Sequence, residues 1–354
     1  MVSRAYSLAV VLVVLALSAT AAADVAVRKD VKDMTAAEKH EFVAAVLKLK
    51  HERSPYGKHG ISLYDLFVYY HRRVSNLKVD GAHRGPAFLP WHREFLYAFE
   101  AALENVSHDK KLAIPYWDWT DPASTAAVFG KDFLGGDGVG PHHAVLDGPF
   151  RRGHWKLVVT DAAGSDSPFE PDVDHVAGAT YLQRDFGGSE EEGVTTLPTA
   201  AEMDQVMAVG NYDAKPWNRN TDPRFSFRCA LEGWGRPDAV DTRGAHNQVH
   251  LWVGGEWKVH GRTEYGTISG SSSPDDPVFW LIHANIDRLW TKWESEHGQQ
   301  YEPAHGAAYG HNLDDPLSQF SQLGLGITGV HSKVLRPADL LDPAPLQAVY
   351  QDPL

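Results

Sequence analysis

YDLFVYYHRRVSNLKVDGAHRGPAFLPWH, residues 64–92, sets three histidines, His71, His83 and His92, among aromatic and aliphatic side chains. Leu63, Leu66, Phe67 and Tyr70 recur at helical spacing, and Ser62 stands where a helix N-cap belongs. His71 lies one turn beyond Phe67, on or beside the buried face. A lone histidine there is more often a satisfied core residue than a ligand. A loop with Gly81, His83, Gly85 and Pro86 follows, and Pro90 opens an amphipathic helix as a first-turn proline. His92, Phe95, Leu96, Phe99 and Leu103 share one face of it, while Glu94, Glu100 and Glu104 fall mostly elsewhere. His92 thus faces the core with His83 in the loop feeding it, and the two can converge on one ion.

A second stretch repeats the theme. His246 and His250 are spaced to share one helix face, and Gly254-Gly255 ends that element. Ser269 to Ser273 reads as a flexible loop. Pro274-Asp275-Asp276-Pro277 opens another helix, with Phe279, His283, Ile286 and Trp290 on one side. Burying so many imidazoles unpaired is costly, so a shared partner is the economical explanation. A metal ligand must be a neutral imidazole, which burial also favours. An all-imidazole set suits copper and also zinc. Catalytic zinc often takes an acidic ligand, and two separate trios argue for two metals. H-E-x-x-H is absent. The E-x-x-H pairs of a di-iron bundle occur only at Glu294–His297, a helix end, and Glu302–His305, broken by Pro303. G-x-S-x-G is absent and no cysteine adjoins a histidine, which argues against nucleophilic hydrolysis.

The remainder of the 354 residues reads as scaffold. The net charge of −13 argues against a nucleic-acid partner. Cys229, the single cysteine, excludes an intrachain disulfide and reads as a small buried hydrophobe. Of the 19 histidines, His51, His59, His108, His297 and His311 read as surface residues. Residues 1–23 read as a secretory signal: Arg4, an apolar run from Leu8 to Leu17, and small residues ending at Ala23. Cleavage there implies a secreted protein with no membrane attachment, and residues 24–354 as one domain. Thr35 and Glu38 form a capping box for a helix carrying Phe42, Val43, Val46 and Leu49. Ile114 to Trp119 reads as a packed connector. Residues 121–245 read as loops with short helices such as Ala200 to Val209. Another short helix is expected around Pro337 to Leu341.

Several motifs carry a resemblance: HRGPAFLPWH (83–92), PYWDW (115–119), LEGW (231–234), HNQVHLWVGG (246–255) and DPVFWLIHANIDRLW (276–290). Through them the chain resembles the type-3 copper proteins, most closely bacterial tyrosinases of the actinomycete kind, over nearly all of its mature length. The resemblance implies a mainly α fold, a four-helix bundle core holding a dinuclear copper site within long surrounding loops. It implies one copper on His71, His83 and His92 and a second on His246, His250 and His283. It implies ortho-hydroxylation of monophenols and oxidation of o-diphenols to o-quinones by dioxygen. Glu232 and Asn247 match a pair thought to position a water that takes the phenol proton, a general base with an orienting partner. Phenols, dioxygen and a copper-delivery protein are the partners implied.

The chain also departs from the pattern. Ile282 stands where many relatives have a second histidine beside the ligand, and Gly81 where fungal and plant relatives have a cross-linking cysteine. The segment from Leu231 to His246 is longer than the bacterial pattern, and rerouting there would displace Glu232. Asp287, one turn past His283, reads equally as an orienter of a ligand or as a salt-bridge residue. The alternatives are a catechol or o-aminophenol oxidase without useful hydroxylation, a haemocyanin-like oxygen carrier, and a copper-poor relative.

Overall fold

The computed structural model describes residues 25–54, 61–159, 179–233, 244–317, 335–342 and 348–352. The expected leader, His59 and the insertion at 234–243 lie outside them. Eight helices occur among the described residues: α1 Ala36–His51, α2 Leu63–Ser75, α3 Phe88–Ser107, α4 Pro122–Val128, α5 Ala200–Met207, α6 Phe227–Glu232, α7 Ala245–Gly254 and α8 Val278–His297. Six short strands pair two by two. β1 (Ala26–Arg28) runs parallel to β6 (Ala348–Tyr350). β2 (Gly138–Val139) and β3 (Ala144–Val145) are antiparallel, as are β4 (Glu256–Val259) and β5 (Arg262–Tyr265). No described helix is long and apolar enough to cross a membrane.

The helix starts follow their caps. Thr35 and Glu38 make the reciprocal capping box of α1, and Ser62 accepts from the Asp65 amide at the start of α2. α3 begins at Phe88, so Pro90 sits in the first turn, where its missing N–H breaks no helical bond. The short helix expected from Ala200 ends at Met207, and the one at Pro337–Leu340 is a single 3-10 turn.

The core forms where α2, α3, α7 and α8 meet, with α1 packed on α2 and α3. Phe67 of α2 touches Phe95 and Phe99 of α3 and Trp280 of α8, at centroid distances of 5.7, 5.2 and 5.7 Å. Tyr116, Trp117 and Trp119 are buried, as a packed connector requires, and Cys229 is buried.

Three expectations need correction, and the structure chooses between the two readings of Asp287. Glu94 and Glu100 of α3 are buried, because residues 88–100 of that helix are enclosed on all sides and its polar positions there meet protein. Glu100 accepts two bonds from Arg28 of β1 at 3.1 and 2.9 Å. Asp287 of α8 pairs with Arg28 at 2.9 Å and Arg93 of α3 at 2.5 Å, which makes it an ion-pair residue. Ser269–Ser273 is not a slack loop: 3-10 turns at Thr267–Ser269 and Ser273–Asp275 fold it against α7 and α2. His311, expected on the surface, is 3 % exposed.

Candidate metal centre

Each trio is assembled from separate elements. His71 comes from α2, His83 from the α2–α3 loop and His92 from the second turn of α3. Their ring centroids lie 5.0, 5.7 and 4.9 Å apart. His246 and His250 project from one face of α7, 4.3 Å apart, and His283 of α8 completes the second set at 5.0 and 5.9 Å. Within each trio one nitrogen from every ring lies within 4.8 Å of the others. The trios are adjacent: His92 stacks on His283 at 4.1 Å with an interplanar angle of 10°.

The hydrogen-bonding pattern says what these rings can do. The Nδ1 atoms of His71, His92 and His250 lie 2.7, 2.8 and 2.7 Å from the carbonyls of Ser271, Phe88 and Ile268. An Nδ1–H donated to a carbonyl leaves Nε2 with a free lone pair, the arrangement of a metal-binding imidazole. The Nε2 atoms of His71, His92, His246, His250 and His283 are buried with no protein partner. Five buried acceptors without donors cost several kcal/mol in aggregate, at about 1–3 kcal/mol each, unless a cation meets them. Burial, reinforced by neighbouring imidazoles, holds His71, His92, His246 and His283 well below the ordinary histidine range. Burial pushes His250 down to about 4. These rings are neutral at pH 7, as ligands must be.

His71, His83, His246 and His250 line one cleft of about 610 Å3 together with Asn247 and Leu251. Glu232 is the last residue of α6 and fully buried. Its Oε1 accepts from the Arg84 amide at 2.5 Å and its Oε2 from Arg228 at 3.0 Å, while Arg228 also binds Asp213. Burial raises the Glu232 carboxyl above its usual range against the pull of Arg228. The Glu232 carbonyl and the Asn247 Oδ1 lie 3.3 and 3.0 Å from the His246 Nδ1. Gly233 and Gly244, the described residues on either side of 234–243, abut: a Cβ on Gly244 would sit 2.3 Å from the Gly233 Cα.

Of the eight residues singled out in the sequence, His71, His83, His246, Asn247 and His250 line the cleft, and His92, His283 and Glu232 are buried beside them. What the sequence pattern missed is their support: the Ser271 and Ile268 carbonyls, the Arg228–Asp213 pair behind Glu232, and His311. Backbone acceptors leave no residue-type signal, whereas Asp80-Gly81 before His83 is a readable turn signal.

The common central domain of tyrosinase matches residues 61–296. A tyrosinase of Streptomyces lincolnensis is 38% identical over 326 residues, covering 89% of this chain and 96% of that protein. A grixazone synthase of Streptomyces griseus is 35% identical over 338 residues, with the same coverages of 89% and 96%. A polyphenol oxidase of Thermothelomyces thermophila has the same fold, with a TM-score of 0.62 at 22% identity over 92% of this chain and 88% of that one. Two histidine trios at bonding separation, together with these matches, place the chain in the tyrosinase family of dinuclear copper oxidoreductases.

Proposed function

We propose that His71, His83 and His92 hold one copper, that His246, His250 and His283 hold the other, and that the pair oxidises phenols with dioxygen. The observation that carries this is the convergence of unpartnered, buried Nε2 atoms in two adjoining trios that open on one cleft. Bound copper supplies the redox chemistry, reduction of dioxygen coupled to ortho-hydroxylation of a monophenol and oxidation of an o-diphenol to an o-quinone. The chain's own residues do the rest. The Ser271, Phe88 and Ile268 carbonyls fix ring direction and tautomer. Phe88 and Phe279, both fully buried, pack on the imidazoles and keep bulk water from beneath the site. Asn247, half-buried on the cleft, and Glu232 behind it hold a water that accepts the phenolic proton. The raised affinity of Glu232 for a proton supports that role.

A second reading, an o-diphenol or o-aminophenol oxidase without useful hydroxylation, is favoured by one observation. Both Glu232 oxygens already accept from protein donors, which weakens the base. Residues 1–23 are a secretory leader in this proposal and 24–354 the exported catalytic domain. The burial of five of the six imidazoles is consistent with copper arriving on a delivery protein. The test is oxygen uptake by the copper-loaded chain from Asp24 onward. Uptake with both L-tyrosine and L-DOPA supports the first reading. L-DOPA or an o-aminophenol without L-tyrosine supports the second, and uptake with none of the three, despite two coppers, overturns both.

A further inference from the structure

His83 alone of the six imidazoles stands on a loop. Its ring is also loosely held. The nearest partners of its Nδ1 are Ser75 Oγ at 3.3 Å and Asp80 Oδ1 at 3.4 Å, both longer than the 2.7–2.8 Å contacts that fix His71, His92 and His250. The direction of His83 therefore depends on the backbone of residues 80–87. Asp80 shapes the start of that loop by accepting from the Ala82 and His83 amides, each at 3.0 Å.

The loop is closed by a residue more than two hundred positions away. The His311 Nε2 lies 2.8 Å from the Asp80 carbonyl, and its Nδ1 accepts from the Ala87 amide at 3.3 Å. These partners fix the tautomer, with hydrogen on Nε2 and a lone pair on Nδ1. The ring thus joins both ends of the loop from one side. It is itself anchored, because the Tyr301 hydroxyl donates to the His311 carbonyl at 2.9 Å. Gly85 makes room for it: a Cβ there would lie 2.6 Å from the His311 Nδ1. We propose that His311 is a positioning residue for the first trio, a staple that clamps the 80–87 loop so that His83 meets His71 and His92. This rests on the copper reading of that trio. In this chain a buried hydrogen-bonded ring does what a covalent cross-link to the loop histidine would do, and Gly81 and the distant Cys229 leave no such cross-link available.

The test compares release of copper to a chelator from wild type and from His311→Phe, which keeps a ring and removes both nitrogens. One of the two coppers is expected to leave about 10- to 100-fold faster, and the other at the wild-type rate. His311→Gln, which retains a donor for the Asp80 carbonyl, is expected to restore part of the difference. Gly85→Ala, which pushes the ring away, is expected to reproduce it. In the copper-free protein, amide hydrogen exchange of residues 80–87 is expected to quicken in His311→Phe and Gly85→Ala. The control is Val46→Ala in α1, which weakens the core away from this loop. Equal acceleration of both coppers, as in that control, would overturn the proposal in favour of general destabilisation. Unchanged release would overturn it too. Fewer than two coppers on wild type would overturn the copper reading and this inference with it.

Discussion

Copper binding at pH 5.5 should release far fewer protons than six exposed histidines would, because the trios are buried. An exposed imidazole with the ordinary value of about 6.5 is about 0.9 protonated at that pH. Six such groups would have to shed about 5.5 protons to bind two metals. In this chain His250 is held at about 4 and so is only about 0.03 protonated at pH 5.5. His71, His92, His246 and His283 are pushed in the same direction. Five of the six rings are thus held toward the neutral form before metal arrives, so the expected total for two coppers falls well short of about 5.5 protons. Calorimetric titration of copper into the copper-free protein, in two buffers of different ionisation enthalpy, counts the protons directly. A release of four or more would refute the reasoning, because it would mean that the trios are hydrated and charged before metal arrives.

Three further outcomes follow from named contacts. The copper-free protein should be most stable near pH 6.5, by denaturant melts across pH. Glu94, raised to about 8 by burial, and Glu294, raised to about 7, carry protons in the fold that the unfolded chain lacks. Their stabilisation is present at low pH and is lost as pH rises through 7 and 8; for Glu94 the loss from pH 6.5 to 8 is roughly 2 kcal/mol, absent in Glu94→Gln. Below pH 6.5 the lowered histidines dominate, since the unfolded chain takes protons that the fold refuses, and His250 alone loses roughly 3 kcal/mol by pH 4. Glu232→Gln should slow oxygen uptake with L-tyrosine about 100-fold and with L-DOPA much less; equal slowing would remove Glu232 from the proton-accepting role. Gly244→Ala drives a Cβ into the Gly233 backbone, so it should lower the melting temperature and the copper content together.

Much of this fold was legible because its signals are local. Thr35 with Glu38, Ser62 before Asp65, and the glycines at the end of α7 mark element ends by their own chemistry. The apolar periodicity of residues 63–74 and 278–290 says which side of each helix is buried, and so which histidines face inward. Three things were not legible. Glu94 and Glu100 break the apolar pattern yet are buried, because α3 is the central helix and Arg28 arrives from β1, 72 residues earlier, to meet Glu100. The serine and glycine content of 269–273 describes a mobile loop, but acceptors for His71 and His250 are backbone carbonyls of that region, invisible in residue type. His311 lies in polar, turn-like sequence. Its burial depends on a loop beginning at Asp80, a contact that no window around residue 311 contains.

Asp287 shows how the metal centre depends on residues that never touch it. It stands one turn beyond His283, and its partner Arg93 directly follows His92. The Arg93–Asp287 bond at 2.5 Å therefore locks α3 to α8 beside the one place where the two trios stack. An axial slide equal to one residue's rise along either helix moves a ring by about 1.5 Å, enough to spoil its approach to a shared ion. Asp287→Asn leaves Arg28 and Arg93 buried without that carboxylate and should destabilise the protein by about 3–5 kcal/mol. If the pair serves register, then Arg93→Met with Asp287→Leu should recover much of that stability, because a packed apolar contact can replace a buried ion pair. The Glu294 left behind is already poised near neutrality, at about 7, and adds little penalty. The double variant should nevertheless bind copper more weakly than wild type, since a sliding apolar seam does not specify the helix offset. Thermal melts and copper titration of both variants separate these effects. A double variant with wild-type copper affinity would sink the register argument while leaving the stability argument intact.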